Sequence, residues 1–229
     1  MTLALDPTTM PPALEGWLAA HTALRRDAVA LRRAVDALAP TDSDGAARLA
    51  EAFALTSRML HEHHITEDEL VFPELIARSP AFAGAVMTMS LEHVDLDGLI
   101  DDISRALAVL TANTSRNGEV HARLTHKVEL FETIVRLHLE VEEEHALPLM
   151  MRCFTPEELD AIGDQHLVRG AAHIDEMIPW VASALPTDLV TQMLAAMPPT
   201  VQENYSRWAL AFQHTYAPML ATPTHAVAA

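Results

Sequence analysis

Two stretches of the chain carry the same chemistry in the same register. HHITEDELVFP, from His63 to Pro73, and HLEVEEEHALP, from His138 to Pro148, both read His-x-x-x-Glu-acid-Glu-x-x-x-Pro. Residues four apart on a helix share a face one turn apart, so His63/Glu67 and His138/Glu142 each aim an imidazole nitrogen and a carboxylate at a common point. Such a pair can bind a cation. A single copy more often marks a solvated charged face, and the helical wheel decides against that here. At about 100° per residue, the stripe holding His63 and Glu67 also holds Phe53, Met59, Leu60, Leu70 and Val71, with Arg58, His61, Asp68 and Glu69 on the other side. His138 and Glu142 share a stripe with Phe131, Ile134, Val135, Val141 and Leu149, while Arg136, Glu140 and Glu143 face away. Buried carboxylates need a partner. A metal is one solution and mutual His⁺–Glu⁻ pairing is the other.

Two further histidines fall on apolar stripes. His21 accompanies Leu14, Trp17, Leu18, Leu24 and Ala28, and His93 accompanies Val86, Met89, Leu96 and Ile100. Alone, each would more often be a satisfied core histidine. Together the order His, His-x-x-x-Glu, His, His-x-x-x-Glu gives two imidazoles per metal and two bridging carboxylates, a set suited to two irons or manganeses. It fits magnesium and calcium poorly, since they favour oxygen ligands. His64 flanks the first motif at the edge of its stripe, within reach of a metal, and reads as a partly exposed helix residue. His145 lies about 10 Å along the axis from His138 by helical rise, too far for the same ion. His166 and His173 share a face and are placed to cap the open end of the bundle. Met59 and Met89 read as core filler.

Four long amphipathic segments position these residues: about Pro12 to Leu38, Ala46 to Ala77, Phe82 to Leu110 and Glu119 to Met151. The connections between them are short and polar, so each helix must fold back on its predecessor. This predicts an all-α, up-down-up-down four-helix bundle over residues 12–152. Residues 153–229 form a C-terminal helical extension. Thr155-Pro156-Glu157-Glu158 is a helix start, and prolines punctuate the shorter helices beyond it. Trp180, Tyr205, Trp208 and Tyr216 require this extension to pack on the bundle or on a second chain, as in a homodimer. The final ATPTHAVAA reads as frayed.

Composition narrows the partners. The 229 residues are half apolar and carry a net charge of −17, which argues against binding nucleic acid or anionic lipid through a basic face. No apolar run approaches the roughly 20 residues of a membrane span. The N-terminus lacks the pattern of a secretory signal, and Cys153 is the single cysteine. These features point to the cytoplasm.

HHITEDELVFPEL, with its echo in the fourth helix and the two partner histidines, resembles the signature of hemerythrin-like (HHE) cation-binding domains over roughly residues 12 to 152. The resemblance implies an oxo- or hydroxo-bridged di-iron centre, iron ahead of manganese, in the middle of the bundle. His21, His63, His93 and His138 would then be terminal ligands and Glu67 and Glu142 bridges. Oxygen-carrying hemerythrins place a fifth histidine one turn after the ligand on the third helix; here that residue is Asp97, and Arg25 occupies the turn after His21. Asp97, read on the core face, is expected either to ligate or to orient a histidine. This departure counts against reversible oxygen carriage. It leaves two functions: a redox protein acting on hydrogen peroxide, oxygen or nitric oxide, with catalase-like peroxide removal among them, or a sensor or iron store that does not turn over. A metal-free structural bundle is the third possibility.

Overall fold

The computed structural model describes residues 10–112 and 116–220. Among them every regular element is helical. The bundle comprises α1 (Pro12–Ala37), α2 (Ser43–Thr66), α3 (Phe72–Arg78), α4 (Ala83–Thr111) and α5 (Asn117–Cys153). The extension comprises α6 (Pro156–Arg169), α7 (Ile174–Ala182), α8 (Thr187–Ala196) and α9 (Pro199–Leu220). The expected frayed end, residues 221–229, lies outside the described residues.

The ends of these helices follow from local chemistry. Asp42 caps α2 by accepting the Gly45 N–H at 2.8 Å. A Cβ at Gly45 would lie 2.3 Å from the Asp42 carboxylate, so glycine is what lets that cap close. The Asn117 amide donates to the carbonyls of Pro40 and Leu110, at 3.0 and 3.2 Å, tying two interhelical connections together at one end of the bundle. Thr155 and Glu158 form a reciprocal capping box at the start of α6.

The segment expected as one helix from Ala46 to Ala77 is interrupted. Residues Glu67–Val71 form a π-turn, in which the Phe72 N–H reaches back five residues to the Glu67 carbonyl. Pro73 supplies a reason, because it lacks the N–H that would continue an α-helical ladder back to Glu69. Such wide turns are frequent at functional sites. Here the turn begins at a motif glutamate and rephases every residue after it.

α1 packs against α5 and α2, α2 against α4, and α4 against α5, closing the four-helix square. α9 lies across α1 and α2, with α7 beside it. The extension thus covers the bundle of its own chain. Met177, Trp180, Phe212, Tyr216 and Met219 join the same apolar cluster as Leu24, Leu31, Phe53, Ile103 and Phe131. A second apolar cluster gathers Leu14, Val71, Phe72, Leu75, Met89, Leu147, Met150 and Phe154. Between these two clusters the chain places a layer of histidine and glutamate.

Candidate metal centre

Four helices and the π-turn contribute to that layer. α1 supplies His21, α2 supplies His63, the π-turn supplies Glu67, α4 supplies His93, and α5 supplies His138 and Glu142. All six are buried. Their ligand atoms fall into two overlapping groups, His21/His63/Glu67/Glu142 and Glu67/His93/His138/Glu142, each with its atoms within 4.8 Å of one another. The two groups share both carboxylates, and each carboxylate divides its oxygens between them. Glu142 Oε2 lies 3.6 Å from His21 Nε2 and 4.0 Å from His63 Nε2, while its Oε1 lies 3.1 Å from His138 Nε2 and 3.7 Å from His93 Nε2. Glu67 Oε1 is 3.3 Å from His63 Nε2, and its Oε2 is 3.6 Å from His93 Nε2.

None of these close approaches is a hydrogen bond. The Nε2 atoms of all four histidines, both oxygens of Glu142 and Oε2 of Glu67 are buried and unpaired. Such atoms are rarely left without partners in a folded core. Imidazole nitrogens and carboxylate oxygens, converging and unpaired, make a donor set that fits a pair of first-row transition metals. The residues present therefore fit the cation that the motifs call for.

The opposite edges of the imidazoles explain their aim. His21 Nδ1 lies 2.9 Å from Glu143, His93 Nδ1 2.9 Å from Asp68, and His138 Nδ1 2.9 Å from Glu92. A carboxylate there takes the Nδ1–H and leaves the Nε2 lone pair directed into the layer. Each acceptor is the chain neighbour of a motif residue and reaches across to a histidine on another helix. Asp68 follows Glu67, Glu92 precedes His93, and Glu143 follows Glu142. Glu143 also accepts from Arg25 at 2.7 Å, so the residue one turn after His21 buttresses the site indirectly. His63 is the exception, with no such acceptor among the described residues. Replacing Glu92 by Leu should weaken metal binding by roughly 10- to 100-fold, as loss of such supporting acceptors does elsewhere. A competition titration against a chelating dye measures it.

Trp17 adds a neutral donor. Its indole N–H donates to Glu67 Oε1 at 2.8 Å, and its ring lies 3.8 Å from that of His21. The half-buried Trp17 therefore forms the outer wall of the His21/His63 side.

Protonation follows from the packing. Burial, with the neighbouring Glu142 charge next, pushes Glu67 well above the ordinary carboxylate range. Burial acts on Glu142 in the same direction, but His138 and His93 hold it well below that range. Burial pushes the His63 and His64 imidazoles well below their usual value, which keeps them neutral as metal ligation requires.

Several expectations are corrected. Asp97 does not face the core: its side chain is 48% exposed and lies 3.7 Å from His61. Leu96 takes the inward position instead, continuing the line of Met89, His93, Leu99 and Ile103. Asp97 therefore belongs to neither ligand group. Asp68 and Glu143, expected to face away, both touch histidines of the layer, His93 and His21. His64, expected to be partly exposed, is buried and stacks on His93. His145 and His173 are exposed, whereas His166 is half-buried with its Nδ1 2.8 Å from Thr66 Oγ1. Asp27, a buried acid in the apolar stripe of α1 that belongs to no motif, lies away from the metal layer and takes up the Trp180 and Tyr216 of the extension.

The hemerythrin HHE cation-binding domain model matches residues 13–195. This chain belongs to that family. The match runs past the four long helices and through most of α8, so the HHE similarity takes in much of the extension as well as the metal layer. Among curated proteins, a BRUTUS-like zinc finger protein of Arabidopsis thaliana is 25% identical over 72% of this chain and 13% of its own length. The zinc finger protein BRUTUS of the same plant is 27% identical over 59% of this chain and 10% of its own length. The chain thus spans about a tenth of these relatives, and the similarity concerns that portion alone. No solved structure matches the chain. Among the described residues, no helix is long and apolar enough to cross a membrane.

Proposed function

We propose that this HHE domain holds two iron ions and reacts with small oxidants, hydrogen peroxide first among them, with oxygen and nitric oxide as the other candidates. One observation carries the two-metal reading. Glu67 and Glu142 each turn one oxygen toward the His21/His63 side and the other toward the His93/His138 side, as bridging carboxylates would.

Bound iron would supply the one-electron couples and the open coordination positions that reduction of a small oxidant requires. The protein's own part is steric and electrostatic. His21, His63, His93 and His138 turn their Nε2 atoms into the layer, and Glu67 and Glu142 would balance part of the metal charge. The apolar clusters on either side exclude bulk water. Asp68, Glu92 and Glu143 fix three of the imidazoles, so little side-chain rearrangement accompanies a change of metal charge.

The test is the metal content per chain with an optical spectrum, taken before and after peroxide. Two irons per chain, with oxygen evolved repeatedly on successive additions of peroxide, are the expected result. A protein bleached once that never evolves oxygen would defeat the enzymatic reading. It would favour the second one, a metal-dependent sensor or iron store. That reading draws support from α1, which carries both His21 and the Asp27 that anchors α7 and α9. It predicts that chelation changes the protease sensitivity of α9.

A further inference from the structure

One imidazole beside the layer has no role in the six-residue set. His64 is 3% exposed, yet neither of its ring nitrogens makes a hydrogen bond. A neutral imidazole carries one N–H donor and one lone pair, and burying both without partners is unfavourable unless a ligand takes one. The surroundings of His64 indicate the ligand. Its ring stacks on His93 with centroids 3.9 Å apart and planes 9° from parallel, and it meets the His138 ring edge-on at 5.5 Å. A His64 nitrogen also lies within 4.8 Å of ligand nitrogens of both His93 and His138, a third buried group beside the two that share the carboxylates.

Among the described residues, the other side of the layer has no counterpart. The group there contains His21 and His63 as its only imidazoles. The supports differ in the same sense. His93 and His138 both have carboxylates at Nδ1, whereas on the other side only His21 does.

We propose that His64 is a third imidazole donor to the metal held by His93 and His138. The inference rests on the two-metal reading above and makes its two positions unequal. One is a tight position with three nitrogens. The other is a weaker position with two, beside Trp17. Lying flat on His93, the His64 lone pair points past any ion that His93 binds in its own plane. Coordination therefore requires the ring to turn and break the stack, and no hydrogen bond opposes that turn.

The test is an anaerobic calorimetric titration of the metal-free full chain with iron(II). The wild type should show two steps, the first tighter. His64→Phe keeps a stacking ring without a nitrogen and should weaken the first step at least tenfold, leaving the second within about threefold. His64→Glu restores a donor atom and should recover most of the loss. Identical titrations for His64→Phe and wild type would overturn the proposal. So would equal weakening of both steps, or a His64→Glu variant no tighter than His64→Phe. Should His64→Phe fail to fold, His64→Leu and His64→Glu are compared in the same way. A wild type that takes up a single iron would defeat the two-metal reading; loss of that one ion in His64→Phe would still support the His64 assignment, and its retention would overturn it.

Discussion

Stripping the metal is expected to lower the melting temperature by roughly 8–16 °C. A ligand at about a thousand times its Kd stabilises the folded state by about 4 kcal/mol, and a domain of this size shifts by roughly 2–4 °C per kcal/mol. The magnitude follows from what the layer would otherwise bury. Four Nε2 atoms and three carboxylate oxygens point at one another without hydrogen bonds. Without a cation, Glu67 must take up a proton or leave its charge beside Glu142, while His138 must balance Glu142. Calorimetry of the as-purified protein with and without chelator measures the shift. Glu142→Gln should melt at the same temperature under both conditions, because it removes the oxygen charge that faces all four histidines. A metal-free chain that melts with the as-purified one would mean that histidine–glutamate pairing alone satisfies the layer.

The second large effect lies outside the layer. Asp27 Oδ2 accepts from the Trp180 indole at 2.7 Å, from the Tyr216 hydroxyl at 3.0 Å and from Thr56 at 3.2 Å, and Arg26 pairs with Oδ1 at 2.7 Å. This single acid joins α1 and α2 to α7 and α9. Asp27→Ala leaves the Trp180 indole buried without its acceptor, leaves Tyr216 with Thr56 alone, and should destabilise the chain by about 3–5 kcal/mol. Urea denaturation measures the loss, and limited proteolysis should show cleavage near α9 before cleavage in the bundle. Asp27→Asn keeps one acceptor oxygen and should lose less. The pH dependence has a definite sign. Burial raises the Asp27 carboxyl above its ordinary value, despite Arg26 and the indole. The folded state therefore holds this proton more tightly than the unfolded chain does. Stability from Asp27 is present below the unfolded value and falls as pH rises through the window up to the folded one. Asp27→Asn should flatten that slope.

The six layer residues were legible because their signal is periodic. His63 and Glu67 repeat in His138 and Glu142, and the apolar stripes around all four helices carry the histidines inward. The supporting acids were not legible by the same means. Glu143 and Glu92 each stand one residue from a member of the layer, about 100° around the helix, and a wheel assigns that direction to solvent. A glutamate side chain is long enough to cross to the neighbouring helix, which only the packing of α1 on α5 and of α4 on α5 reveals. Asp68 was hidden for a different reason: a uniform wheel carries on past Glu67, whereas the backbone widens into the π-turn there. Asp97 failed the other way. Leu96 fills the inward position, and a shift of one residue moves the carboxylate to the flank. Asp27 had a visible signal, an acid between Leu24 and Leu31 in a chain whose tail holds Trp180 and Tyr216. Its partners lie more than 150 residues away, and no local pattern connects them.

The position of the layer between the two apolar clusters has a consequence for cooperativity. Each cluster adheres internally through nonpolar contact, but across the layer the contacts are polar and converge on the cation site. Beside the backbones of α1, α4 and α5, which run through both clusters, the ions would add a link between the side chains around Phe53 and Phe131 and those around Phe72 and Met150. With metal bound, hydrogen exchange in both clusters should report one global opening energy. After chelation the part of the Phe72 and Met150 cluster that sits on short helical segments, Phe72, Leu75 and Phe82, should exchange first. An oxidation or capture event at the layer would then be felt as a change in how much of the chain unfolds together.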